Sequence, residues 1–146
     1  MPMFSMIKSF DPGERLWRGA TVTAPRGQGN QPAGSWQCDL ADNALTWSPQ
    51  VFELFGIDPG ARVDRRATVE MYTDESRALM ERLRAAAIAE RGSFTMEAQI
   101  RRADGALRWM RLTADVLCRG GRATHLYGAK QDITEEMLSF GMMASV

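Results

Sequence analysis

From Ser35 to Leu40 the chain alternates, with Trp36, Cys38 and Leu40 on one side and Gln37 and Asp39 on the other, the two-residue period of a half-buried strand. Asp42-Asn43 can turn it, so Ala44 to Trp47 reads as the returning strand. Ser48-Pro49 supplies a capping hydroxyl and a proline for the first helical position. Val51, Phe52, Leu54 and Phe55 give the short helix that follows an apolar side, Gly56 stops it, and Asp58-Pro59-Gly60 turns the chain. A longer helix is predicted from the Thr73-Asp74-Glu75 cap to Glu90, ending at Gly92. Leu79, Met80, Leu83 and Ala86 or Ala87 form its apolar face, and Arg77, Glu81, Arg82 and Arg84 fall opposite.

Three alternating runs come next. Phe94, Met96, Ala98 and Ile100 oppose Thr95, Glu97, Gln99 and Arg101; Met110, Leu112, Ala114 and Val116 oppose Trp109, Arg111, Thr113 and Asp115; a third strand covers Ala123 to Gln131, with Leu126, Gly128 and Lys130 inward. Asp104-Gly105 and Gly120-Gly121 are hairpin turns, too short for a parallel crossover. Asp132 and Glu135 have capping-box spacing and open a last short helix. The order predicts an α+β domain, a five-stranded antiparallel sheet with short helices and one longer helix on one face. That domain is placed at residues 35–134. Before it, residues 1–34 hold a segment with Phe4, Ile7 and Phe10 on a helix-like stripe, then a Gly-, Pro- and amide-rich linker; after it, residues 135–146 form a short helix or tail.

A chain of 146 residues, 45% hydrophobic and 25% charged, is one domain's worth of foldable sequence, which excludes disorder for most of its length. Eighteen basic residues cancel eighteen acidic ones and no basic run concentrates charge, so a nucleic-acid partner is not expected. No apolar run approaches the ~20 residues that cross a bilayer, and two cysteines without a Cys-x-x-Cys pair read as intracellular thiols. The expected location is the cytoplasm, with no membrane contact.

Trp36-x-x-Asp39, Thr46-Trp47-Ser48 and Leu54-Phe55-Gly56 resemble the opening of a PAS domain. Phe94-x-x-Glu97, Asp104-Gly105-x-x-Arg108-Trp109 and Gly128-x-x-x-Asp132-Ile133-Thr134 resemble its second half and its C-terminal PAC motif. The resemblance covers about 100 residues and implies a PAS fold: a curved sheet and helices around a pocket, with signals leaving through segments that flank the sheet. Two departures stand out. Tyr72-Thr73-Asp74-Glu75 replaces a His-Pro-x-Asp element, and Gln99 stands where many relatives carry arginine. Flavin-binding relatives of the LOV type form a thiol adduct from a cysteine in the region that corresponds to Arg62–Tyr72, which here has none, so a flavin adduct is excluded. Haem-binding relatives use a histidine from the helical side; His125, on the last strand, alternates outward, and haem ligation is not expected. One histidine and unpaired thiols give no metal site.

The serines and acids occupy cap, loop or surface contexts and assemble no nucleophile-and-base pair, so no catalytic residue is named and enzyme activity is not expected. The candidate ligand pocket is the inward set: Cys38, Leu40, Phe55, Leu79, Leu83, Met96, Ala98, Ile100, Met110, Leu112, Ala114, Leu126, Gly128 and Lys130. These residues equally describe a filled core, although Ala98, Ala114 and Gly128 on adjacent strands would leave room. Lys130 either reaches solvent or points inward, where an ammonium would need an anionic partner. A second candidate is the outer sheet face, Trp109, Thr113, Tyr127 and Ala129, an aromatic surface that Phe4, Ile7, Phe10 and Trp17 of the N-terminal segment would cover in cis or across a homodimer.

In sensors of this family the Asp-Ile-Thr element leads into a kinase, a cyclase or a further domain, whereas here only residues 135–146 follow. The expectation is therefore a non-enzymatic module that acts in trans on a signalling partner such as a sensor histidine kinase, through the outer face and terminal segments. The alternatives are a sensor of an unidentified small molecule in the core, or a fragment of a longer sensor kinase or cyclase.

Overall fold

The computed structural model describes residues 32–144. β1 (Gly34–Asp39) and β2 (Ala44–Trp47) form a hairpin, followed by α1 (Pro49–Phe55), α2 (Arg65–Val69) and α3 (Asp74–Glu90). β3 (Phe94–Arg101), β4 (Leu107–Arg119) and β5 (Arg122–Asp132) complete the sheet, and α4 (Thr134–Ala144) leaves it. The strand order is β2-β1-β5-β4-β3, antiparallel throughout. β5, last in the chain, is thus central, hydrogen-bonded to β1 on one side and β4 on the other.

Period-2 alternation fixes which side of each strand is buried. Ala98, Ile100, Met110, Val116 and Leu126 are at most 1% exposed and meet Val51 and Phe55 of α1 and Met80 of α3 across a single core. Gly56, at φ 71°, ends α1 in a left-handed conformation, and its N–H donates to the Glu53 carbonyl. Ser48 does not cap α1 with its side chain. Its Oγ accepts from the Ser35 N–H at 2.9 Å instead, tying the helix start to β1.

α2 is too short to show a hydrophobic stripe; its local signal is Asp64, whose carboxylate accepts from the Ala67 N–H at 2.8 Å. In α3 the buried line is Ser76, Met80 and Ala87, with Leu79 and Leu83 only half-buried and Ala86 exposed. Three side chains expected on its solvent face turn back onto the domain. Arg77 donates to the Val69 and Tyr72 carbonyls at 3.1 and 2.9 Å, Glu81 pairs with Arg65, and Arg84 donates to Asn43 Oδ1 at 3.1 Å. The α3 terminus is also shifted: Arg91, at φ 54°, takes the left-handed cap position ahead of Gly92.

Gly128 does not leave room in the core. A Cβ there would lie 1.9 Å from the Thr113 carbonyl oxygen, so glycine is required by the close approach of β4 to β5. The Trp36 indole N–H donates to that same carbonyl at 3.2 Å, and Trp36 pairs with Gly128 across the strands. Ala98 and Ala114 are likewise enclosed, 0 and 2% exposed.

Candidate functional site

Inward alternation along β5 carries Lys130 into the core, where it is 8% exposed. Its ammonium nitrogen lies 4.9 Å from the ring centre of Phe55, 5.3 Å from Trp36, 5.4 Å from Trp47 and 5.9 Å from Tyr72. Each distance is within cation–π range. Trp36 comes from β1, Trp47 from β2, Phe55 from α1 and Tyr72 from the turn between α2 and α3, so four elements converge on one amine. Trp47 stacks on Phe55 at 4.8 Å, and Phe52 meets the indole edge-on at 5.2 Å. The amine donates to the Tyr72 hydroxyl at 3.5 Å, the limit of a hydrogen bond.

Among the described residues no carboxylate pairs with Lys130, and its burial corrects the alternative that it reaches solvent. The aromatic faces surround it instead. Burial, with the nearby Arg65 charge adding to it, pushes the Lys130 amine down to about 7. Burial also raises the Tyr72 hydroxyl and the Cys38 thiol, keeping both protonated.

Beside the amine is a cavity of about 50 Å³, lined on its polar side by Arg65, Thr68, Tyr72, Arg84, Cys38 and Lys130 and elsewhere by apolar groups such as Leu45, Leu112 and Leu126. Of the predicted pocket residues, Cys38, Leu112, Leu126 and Lys130 line it and Phe55 faces the amine. Met96, Ala98, Ile100, Met110 and Ala114 are packed into the core away from it, Leu79 and Leu83 pack against that core half-exposed, and Gly128 is sealed by Thr113. Leu40 falls just past β1, half-buried, with its N–H on the Thr124 carbonyl. Trp47, Tyr72, Arg65 and Arg84 were not among the candidates. Tyr72 and the arginines lie outside any strand, and alternation gives no signal for them.

Two residues after Lys130 on the same strand is Asp132. Its Oδ1 accepts from the Thr134 N–H and hydroxyl at 2.9 and 2.6 Å, and its Oδ2 lies 3.6 Å from Arg108 Nε. The Trp109 N–H donates to the Thr134 hydroxyl at 2.9 Å, and the Trp109 carbonyl accepts from the Ile133 N–H at 2.9 Å. Arg111 joins Glu97 of β3 to Glu136 of α4 at 3.1 and 2.8 Å. The start of α4 is therefore bolted to β4 beside the chamber.

On the outer face, Trp109, Thr113 and Ala129 are half-buried, and the Thr113 hydroxyl accepts from the Ala129 N–H at 3.0 Å. Tyr127 is not an open aromatic surface: it is 6% exposed, and burial raises both its hydroxyl and the Asp115 carboxyl beside it. Phe4, Ile7, Phe10 and Trp17 lie outside the described residues. His125 faces outward with Nε2 3.7 Å from the Asp39 carboxylate. Among the described residues no group of His, Cys, Asp and Glu is arranged to hold a metal, and no helix is long and apolar enough to cross a membrane.

The sequence pattern of the family described as the PAS fold matches residues 44–129. The chain belongs to the PAS family. Solved PAS structures share its architecture: a sensory box histidine kinase/response regulator from Burkholderia thailandensis superposes with a TM-score of 0.69 at 18% identity, over 92% of this chain and 94% of that one. The N-terminal domain of a diguanylate cyclase with PAS/PAC sensor from Marinobacter aquaeolei gives 0.66 at 19% identity, over 72% and 98%. Among curated proteins, the probable diguanylate cyclase DgcE of Escherichia coli is 28% identical over 102 residues, 70% of this chain. The chain spans only 9% of that relative's length. As a PAS domain, the described chain is a sensory module.

Proposed function

We propose that this PAS module senses a change at the Lys130 chamber and passes it through β5 to α4 and the outer sheet face, from which it regulates a signalling partner in trans. One observation carries the reading. The buried amine and the Asp132 carboxylate that anchors α4 are two residues apart on one central strand, and that anchor is tied to Arg108 and Trp109 of β4. A change in charge or packing at Lys130 cannot be absorbed by a flexible loop before it reaches α4, because none lies between them.

In this reading the output partner is a sensor histidine kinase or a cyclase, which is supported by the occurrence of similar PAS domains in a histidine kinase/response regulator and in the cyclases above. The module itself is non-catalytic in this reading, in keeping with the sensory character of a PAS domain. The cavity on the Arg65 and Arg84 side of the amine, about 50 Å³, suits an input of a few atoms.

Affinity capture tests the output side. The wild-type chain is expected to recover a kinase or cyclase, identified by mass spectrometry, and Trp109→Ala, at the corner that joins β4 to α4, to lose most of it. Equal recovery by both chains, or recovery of no signalling enzyme, contradicts the reading. Tyr127→Ala is the poorer probe, because that ring is buried and its loss disturbs packing first.

A further inference from the structure

The cavity beside Lys130 gathers positive charge and hydrogen-bond donors without an acid to receive them. Arg65 comes from α2, Arg84 from α3 and Lys130 from β5, with the Thr68 and Tyr72 hydroxyls beside them; no Asp or Glu lines the space. Glu81 sits outside the lining and is engaged by Arg65, which offsets one guanidinium. Arg84 meets neutral partners, Asn43 Oδ1 at 3.1 Å and the Cys38 thiol. Lys130 is more than nine-tenths buried and, among the described residues, its hydrogen-bond partner is the Tyr72 hydroxyl, at 3.5 Å. A buried ammonium without a counter-charge costs several kcal/mol, and the ring faces offset only part of that.

We propose that this cavity is the binding site of a small monovalent oxyanion or carboxylate, held between Lys130 and Arg84, with the Tyr72 hydroxyl donating to it. The proposal rests on the sensory reading above and names its input. Size limits the ligand: a water needs about 10–15 Å³ of such space, so about 50 Å³ admits roughly four heavy atoms. Charge limits it further. A cation would be repelled by Arg84 and Lys130, and a neutral apolar molecule would give the Lys130 amine no acceptor.

Binding is coupled to a proton. The titratable and charged groups around the amine are Cys38 from β1 and Tyr72 after α2, which burial keeps protonated, Arg65 from α2 and Arg84 from α3, and, across a wider cleft that Lys130 also lines, Glu53 of α1, Arg102, Arg108 of β4 and Asp132 of β5; Trp36, Trp47 and Phe55 contribute rings alone. Lys130 is the group poised to change, so an anion arriving above neutral pH draws a proton onto it.

Calorimetric titration of the full chain at about pH 8 tests this, with sodium formate, acetate, nitrate and bicarbonate as probes at constant ionic strength in chloride, in two buffers of different ionisation heat. At least one probe is expected to saturate at one site per chain with proton uptake. Lys130→Met, which fills the same space without charge, and Arg84→Gln are each expected to weaken binding at least about tenfold, while Trp109→Ala leaves it intact. Thermal melts establish that each variant is folded. Absence of saturable binding by all four probes, or unchanged binding in folded Lys130→Met, overturns the proposal. Amide exchange in α4, with and without the binding probe, keeps the two claims apart. Binding that leaves α4 exchange unchanged refutes the relay and keeps the site, whereas a Lys130→Met effect on α4 without anion binding keeps the relay and refutes the site.

Discussion

Lys130 is placed inside by the same alternation that buries Leu126, and that much is legible in the sequence. What surrounds it is not. Trp36, Trp47, Phe55 and Tyr72 are spread over four elements, and nothing local announces that their rings meet at one amine. A bare inward ammonium is costly and calls for an anionic partner; the surrounding side chains supply ring quadrupoles and a lowered proton affinity. A consequence follows for stability. With Lys130 near 7 in the fold and 10.5 as its ordinary value, the unfolded chain binds a proton that the folded chain lacks between those limits, so stability rises with pH there. The slope is at most about 1.4 kcal/mol per pH unit. Cys38, Tyr72 and Tyr127, all raised by burial, act oppositely once their unfolded forms begin to ionise near pH 9. Urea denaturation between about pH 7 and 8.5 is therefore expected to show wild-type stability rising relative to Lys130→Met. Parallel profiles would place Lys130 in water.

At the scale of elements, β3, β4 and β5 were readable because long alternating runs between Gly-containing turns admit one register. Helix ends were less so. Asp132 and Glu135 have capping-box spacing, yet β5 continues through Asp132, which pairs with Met110, and the helix begins at Thr134. The carboxylate consequently serves the Thr134 N–H and hydroxyl rather than a later turn. Arg77 and Arg84 were assigned to solvent because helical periodicity sees one face against another. They are instead long enough to reach back to the Val69 and Tyr72 carbonyls and to Asn43. Removing the Asp132 carboxylate releases both the Thr134 ties and the ion pair to Arg108. Asp132→Ala is expected to cost about 1–2 kcal/mol and to speed amide exchange across residues 134–144 while the β3–β4 hairpin keeps its protection. Uniform loss of protection over the whole sheet would show that the corner is not a separable unit.

For the whole molecule, the α+β class, the five strands and their PAS arrangement were legible from element order, since short turns leave an antiparallel sheet little freedom. The balance between cavity and filled core was not, because it depends on how side chains from different elements interdigitate. Ala98 and Ala114 suggested room, but it closed, and the residual space lies instead against Arg65 and Arg84. In the proposed reading, the state of one buried amine is felt at α4. Hydrogen exchange read by mass spectrometry, corrected for intrinsic rates, measures this directly when wild type and Lys130→Met are compared at about pH 6 and about pH 8.5. The expected result is that protection of residues 134–144, relative to the β3–β4 hairpin, rises with pH in wild type and stays level in the variant. Identical relative protection of α4 in both proteins at both pH values would contradict the account.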